Sequence, residues 1–211
     1  MKRAVPSQKT TIIDILSKSF EDNKSVNYVV KQDNHREDRI KGLIDYSFDV
    51  CYSFGEVWIS DDENACALIL LPHKKKTTLN AALLDAKLAL SVIGLNRVGP
   101  VLSRESKIKS FHPKDQFSYL WFIGVSNNFQ NKGKGSQLLE DIIQESEANG
   151  MPIYLETSVE RNIPWYKKHG FEIFQTLDFG YTLYMLRRMT NSIYPASNAN
   201  EIGYSGEWLM V

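Results

Sequence analysis

The chain has 211 residues, 43% of them hydrophobic and 24% charged, which is enough for one domain with a sizeable core and falls in the range of globular proteins. Its 25 basic and 25 acidic side chains give a formal net charge of zero, so no global field draws it onto nucleic acid or an anionic membrane. The only cysteines, Cys51 and Cys66, sit among apolar neighbours without ligand-spaced partners; they imply neither a disulfide framework nor a metal and read as core thiols.

In chain order, Met1 to Pro6 carries basic residues but no apolar run, so a secretory signal is not expected and a cytoplasmic setting is. Thr11 predicts a capped helix running to about Phe20, and Arg36 to Tyr52 a second one, with Ile40, Leu43, Ile44, Phe48 and Cys51 at helical spacing. Phe54 to Ser60 and Ala65 to Leu71 are β-rich runs around a polar turn and predict a hairpin. Thr77 to Leu95 predicts a long helix; Asp85 and Lys87 interrupt its apolar run, which falls short of a membrane span, so no membrane partner is expected. Gly99 to Gln116, with two prolines and scattered charge, reads as a connecting segment.

Phe117 to Val125 is almost wholly apolar or aromatic, as a strand buried on both faces would be. Ser136 to Asn149 then shows a helical stripe of Leu138, Leu139, Ile142, Ile143 and Ser146, stopped by Gly150. Ile153 to Ser158 predicts a strand, Asn162 to His169 a short helix, and Phe171 to Leu177 with Tyr181 to Arg187 a terminal antiparallel pair. The order predicts an α/β (α+β) mixed sheet flanked by helices in one domain over 1–190, with a parallel strand-loop-helix-strand unit near its middle. The segment 191–211 reads as a tail, open between packing on the domain, packing in a homodimer and neither.

Gly133-Lys134-Gly135 lies between the buried strand and the amphipathic helix, where free backbone amides can hold an anion. A Walker A loop would need glycine at Asn128 and a hydroxyl residue at Gly135; a dinucleotide fingerprint would need glycine at Leu138. Both patterns fail. A tight turn in which glycines merely permit the backbone angles stays open on these residues alone.

The longer run Val125 to Gly135, with Gln130-Asn131-Lys132-Gly133-Lys134-Gly135 at its centre, resembles motif A of the GNAT superfamily of N-acetyltransferases, whose core is (Gln/Arg)-x-x-Gly-x-(Gly/Ala). Asn162, Tyr166, Gly170 and Phe171 resemble its motif B in order and spacing. The match covers about Phe117 to Phe171 and leaves the first hundred residues supported only by element order.

The resemblance implies acetyl-CoA as co-substrate, with no metal, and transfer of its acetyl group to a primary amine, of a small molecule, by direct attack in a ternary complex. Alternatives are an acetyltransferase of protein or peptide amines and a non-catalytic acyl-CoA sensor. It further implies that backbone amides from Asn131 to Ser136 hold the diphosphate, with charge from Lys132 and Lys134 at the rim, and that the backbone of Ile123, Gly124 and Val125 receives the pantetheine arm. Tyr166 would be the general acid, and Asn162 a pantetheine ligand as well as a helix cap. Glu156, in an otherwise apolar strand, is a candidate base, although an ion pair with Arg161 or a lysine would explain it too; Glu56 and His112 are further candidates.

Overall fold

The strand Ala65–Leu70 is buried at every position, with Cys66, Leu68 and Leu70 in one apolar cluster and Ala65, Ala67 and Ile69 in another. Side chains alternate along a strand, so this requires helices on both faces of its sheet. The computed structural model describes residues 1–190 and has that arrangement; the tail expected from Asn191 lies outside the described residues.

In chain order the elements are β1 (Lys2–Arg3), α1 (Lys9–Ser19), α2 (Lys24–Val29), α3 (Arg36–Phe54), β2 (Gly55–Ile59), β3 (Ala65–Leu70), α4 (Leu79–Leu88), α5 (Leu95–Lys109), β4 (Ser118–Val125), α6 (Lys134–Ala148), β5 (Ile153–Thr157), α7 (Ile163–Lys168), β6 (Glu172–Asp178) and β7 (Thr182–Arg188). The strands form one sheet in the order β1-β2-β3-β4-β5-β7-β6. Every pair is antiparallel except β4 with β5, the two strands joined through α6. One face is covered by α1 and α3, through Ile12, Leu16, Leu43 and Ile44; the other by α6, through Leu138, Leu139 and Ile142, together with Tyr166 of α7.

Four local expectations are corrected. The first helix begins at Lys9 rather than at a Thr11 cap, since Gln8 turns its side chain to Glu63 (2.6 Å) and the Val5 amide (3.0 Å). An extra short helix, α2, follows it, capped by Asn23, whose Oδ1 accepts from the Val26 amide at 3.1 Å. The long helix expected over 77–95 ends as α4 at Leu88, passes through a π-helical turn at Ala89–Ile93 and stops at Gly94, whose φ of 83° few other residues adopt.

The fourth correction is the largest. Gly99 to Gln116 is not a connection: α5 continues to Lys109 with Pro100 inside it, and its axis lies 114° from that of the preceding helix. Its buried stripe is Val101, Arg104, Glu105 and Ile108, a helical spacing whose two middle members are charged. Ile108 packs with Leu177, Leu183 and Met185 of the terminal strand pair, which anchors the far end of the helix.

Two irregularities in β4 prepare the site. Its pairing with β3 shifts register at Leu68/Ile69, leaving Trp121 as the extra residue of a bulge. Alternation therefore breaks: Trp121 and Phe122 both belong to the cluster under α1 and α3, while Leu120 and Ile123 belong to the opposite one. In addition, β4 and β5 are paired only at Ser118↔Ile153 and Tyr119↔Tyr154, and beyond these positions the strands separate.

Candidate active site

The gap between the diverging ends of β4 and β5 is a cleft of about 700 Å³, closed by Ser19, Phe20 and Asn23 on one side and by the start of α6 and by α7 on the other. Of the residues singled out from the sequence, Ile123, Gly124, Val125, Gln130, Asn131, Gly133, Gly135, Ser136, Glu156, Asn162 and Tyr166 all line it. Lys132 and Lys134 do not.

The loop entering α6 is shaped by Asn131 (φ 59°) and Gly133 (φ 79°), both left-handed. Gly133 is the N-cap and offers no capping side chain, so the amides of the first turn, from Lys134 to Ser136, keep their donors for an external anion. A Cβ at Gly133 would meet nothing within 4 Å, which leaves its backbone open to approach. The charge expected at the rim is largely absorbed inside the loop. Lys134 forms an ion pair with Asp62, which holds that carboxyl well below the usual range, and Lys132 donates to the Asn128 carbonyl (2.9 Å). The Ser136 hydroxyl accepts from Trp165 Nε1 (2.9 Å) and fastens α7 to α6.

The backbone of β4 points the right way to meet an extended ligand. The Ser126 amide donates to the Asn64 carbonyl (2.8 Å), so by the alternation of antiparallel pairs Val125 and Ile123 are non-hydrogen-bonded partners of Ala65 and Ala67. Their own amides and carbonyls face away from β3, toward the cleft. The Val125 carbonyl accordingly accepts from Ser19 Oγ (3.1 Å) and Gln130 Nε2 (3.3 Å). At Gly124 a Cβ would lie 2.8 Å from Leu16 Cδ2 and 3.2 Å from Ser19 Oγ, so its missing side chain admits α1.

Tyr166 is 6% exposed, packed at a tilt on Trp165 and edge-on to Phe171, and burial raises its phenol well above the ordinary value of 10, which keeps it protonated. Asn162 precedes α7 but makes no side-chain capping bond, so the expected cap is absent and its amide belongs to the cleft wall.

Glu156 is paired, though with neither Arg161 nor a lysine. Its Oε1 lies 2.9 Å from His112 Nε2 and its Oε2 accepts from the Tyr119 hydroxyl. His112 and Glu156 side chains are each 7% exposed. The loop after α5 thus folds inward, as a base role for His112 requires. Burial and the Glu156 charge raise the Tyr119 hydroxyl well above its ordinary range, so it stays a donor. Glu56 is elsewhere: it takes Trp58 Nε1 (3.0 Å) and pairs with Arg3, outside the cleft.

Sequence reasoning missed two residues, Arg104 and Glu105, both 4% exposed on α5. Arg104 donates to Glu105, to Ser25 Oγ and, through Nε, to the Tyr181 hydroxyl (2.9 Å). Burial, only partly offset by Arg104, pushes the Glu105 carboxyl up to about 7, and the charge of Glu156 adds to the rise. Their spacing of three and four from Val101 and Ile108 was the available signal.

The comparisons with known proteins bear on this geometry. The model of the acetyltransferase (GNAT) family matches residues 14–171. An uncharacterized N-acetyltransferase of Schizosaccharomyces pombe is 36% identical over 83 residues, which is 39% of this chain; the alignment spans 33% of the length of that relative. A crystal structure of histone acetyltransferase HPA2 and related acetyltransferase from Corynebacterium glutamicum superposes with a TM-score of 0.64 at 17% identity, over 92% of this chain and 97% of that one. An N-acetyltransferase from Staphylococcus aureus gives 0.54 at 16% identity, over 88% and 98%. These two likenesses establish the fold. With the family model covering most of the chain, the protein belongs to the GNAT acetyltransferase family.

Proposed function

We propose that the chain transfers the acetyl group of acetyl-CoA to a primary amine of a small molecule, by direct attack while both substrates are bound. The observation that carries this reading is that the anion-binding start of α6, the outward-facing amides of Ile123 and Val125 and the protonated phenol of Tyr166 line one cleft.

Acetyl-CoA supplies an acetyl group activated as a thioester. For its diphosphate, the uncapped amides of Lys134, Gly135 and Ser136 offer donors at the positive end of a helix dipole. For its pantetheine amides, the Ile123 backbone and the Val125 N–H offer a strand edge that β5 leaves uncovered, and the Asn162 side chain shares the cleft wall. The Val125 N–H would polarise the thioester carbonyl, a contact of the kind worth about 3 kcal/mol of barrier.

The remaining steps concern protons. An ammonium must lose one before nitrogen can attack, and Glu156, held by His112 and Tyr119 at the cleft wall, accepts it. The C–N bond forms as the C–S bond breaks, the departing sulfur takes the Tyr166 proton, and the acetylated nitrogen loses its surplus proton to cleft solvent, from which the Tyr166 phenolate is reprotonated. Calorimetric titration with acetyl-CoA, followed by a thiol-release assay over a panel of primary amines, tests the reading. Absence of acetyl-CoA binding at millimolar concentration overturns it, and binding without thiol release from any amine overturns the transfer chemistry.

A further inference from the structure

The cleft has a side chamber of about 40 Å³ that shares Phe20, Asn23, Trp121, Glu156 and Thr157 with it and ends on Arg104 and Glu105. Nothing in coenzyme A calls for such a chamber, because the anion-binding amides of α6 and the open edge of β4 lie in the main cleft. Nor does packing call for the charges. Arg104 and Glu105 are neighbours in a helix, where successive side chains do not naturally face each other, yet both are buried and paired. Apolar side chains of similar volume would stabilise the position at least as well as a buried ion pair.

The charge balance fixes the sign of the ligand. Two carboxyl groups, Glu105 and Glu156, border the chamber against one guanidinium, and although burial pushes Glu105 up to about 7, an ammonium seated beside it would favour its ionised form. Each nitrogen of that guanidinium already donates to a protein oxygen, on Tyr181, Glu105 or Ser25, which commits three of its five N–H groups and pairs its charge with Glu105. The rings of Phe20, Trp121 and Phe122 complete walls that suit a cation.

Volume fixes the shape. At roughly 10–15 Å³ per water-sized occupant, the chamber takes about three heavy atoms. A methylene bearing an ammonium fits. An α-amine does not, because the carbon next to its nitrogen carries both a side chain and a carboxylate or carbonyl.

We propose that this chamber is the acceptor subsite, that Glu105 and Glu156 hold the ammonium between them, and that the acceptor is therefore a primary aliphatic amine on an unbranched methylene rather than an α-amino acid or a peptide N-terminus. The proposal rests on the acetyl-transfer reading above and assigns Glu105 a specificity-determining role.

The test compares n-butylamine, L-alanine and L-alaninamide as acceptors in a thiol-release assay with the full chain, at matched free-amine concentration. L-Alaninamide separates branching from negative charge. The expected result is a kcat/KM for n-butylamine at least about tenfold above both α-amines, and a fall of about tenfold or more in Glu105→Gln, carried by KM while acetyl-CoA affinity stays unchanged by calorimetry. An α-amine that equals or exceeds n-butylamine overturns the proposal, and so does a folded Glu105→Gln with unchanged KM. Should that variant not fold, the wild-type ranking decides alone. Acetyl-CoA binding with a preference for α-amines defeats this proposal only; absence of acetyl-CoA binding defeats the reading beneath it.

Discussion

His112 Nε2 lies 2.9 Å from Glu156 Oε1, joining the turn after α5 to the middle of β5. The second oxygen of that carboxylate is taken by the Tyr119 hydroxyl, so Glu156 is held from two sides and points into the cleft rather than toward a neutralising lysine or arginine. A carboxylate fixed in this way keeps its direction. Glu156→Gln preserves the volume and removes the proton acceptor. Turnover should fall about 10²- to 10⁴-fold with little change in acetyl-CoA affinity, and the acid limb of the kcat/KM profile should flatten. A variant that lowers thermal stability but retains the acid limb would make Glu156 structural.

Tyr166 presents the complementary case. Its ring is core, packed on Trp165 and Phe171, and the proposed transfer uses only its hydroxyl. Tyr166→Phe keeps the ring, so the fold and the acetyl-CoA affinity should persist while turnover drops by about 100-fold or more. Calorimetry and steady-state kinetics on the same preparation separate the two effects, and equal losses in both would remove the general-acid role.

Glycines at close contacts give a prediction on stability. A Cβ at Gly55 would sit 2.0 Å from the Ile69 carbonyl oxygen, which is backbone and cannot rotate away. At Gly124 the obstacle is Leu16 Cδ2 at 2.8 Å, the end of a side chain with some freedom. Gly55→Ala should therefore cost more than Gly124→Ala, whose overpacking belongs to the range of about 1–3 kcal/mol. Chemical denaturation of both variants checks the order, and a reversed order would mean that the α1 contact is the more rigid.

The central third of the fold was legible because its signals are local. A buried β4, a glycine turn and an amphipathic α6 follow one another without help from distant residues, and the motif resemblance they carry named the positions from Ile123 to Ser136, of which Lys132 and Lys134 do not line the cleft. The side chamber of the cleft that α5 closes was not legible for an equally physical reason. On α5 the buried stripe carries Arg104 and Glu105 where a helix ordinarily carries apolar residues, and Gly99 and Pro100 precede them, so both the period and the propensity argued for a loop. What makes those residues interesting is what hid them. Glu156 was visible as a polar residue in an apolar strand, but its partners, separated from it by 44 and 37 residues in the chain, could come only from the folded arrangement.

The same buried pair predicts how stability depends on pH. The Glu105 carboxyl is raised from the usual 4.5 to about 7, chiefly by burial, with Arg104 pulling it down and Glu156 pushing it up. Facing groups on neighbouring elements are the Tyr119 hydroxyl of β4, the Tyr46 hydroxyl of α3 and Lys109 on α5 itself. Because the folded value exceeds the unfolded one, the folded protein binds the proton more tightly between about 4.5 and about 7. The contribution of Glu105 is then fully present below about 4.5 and is lost as pH rises through about 7. Glu105→Gln is neutral at every pH and should flatten that decline, with a constant offset set where Glu105 is itself protonated, by exchanging a carboxylic acid for an amide beside Arg104. Denaturation midpoints of wild type and Glu105→Gln measured from pH 5 to 8 check this: the gap between them should narrow as pH rises. A gap that stays constant would mean that Arg104 keeps Glu105 ionised throughout, with the pair held as a permanent ion pair at the end of the cleft.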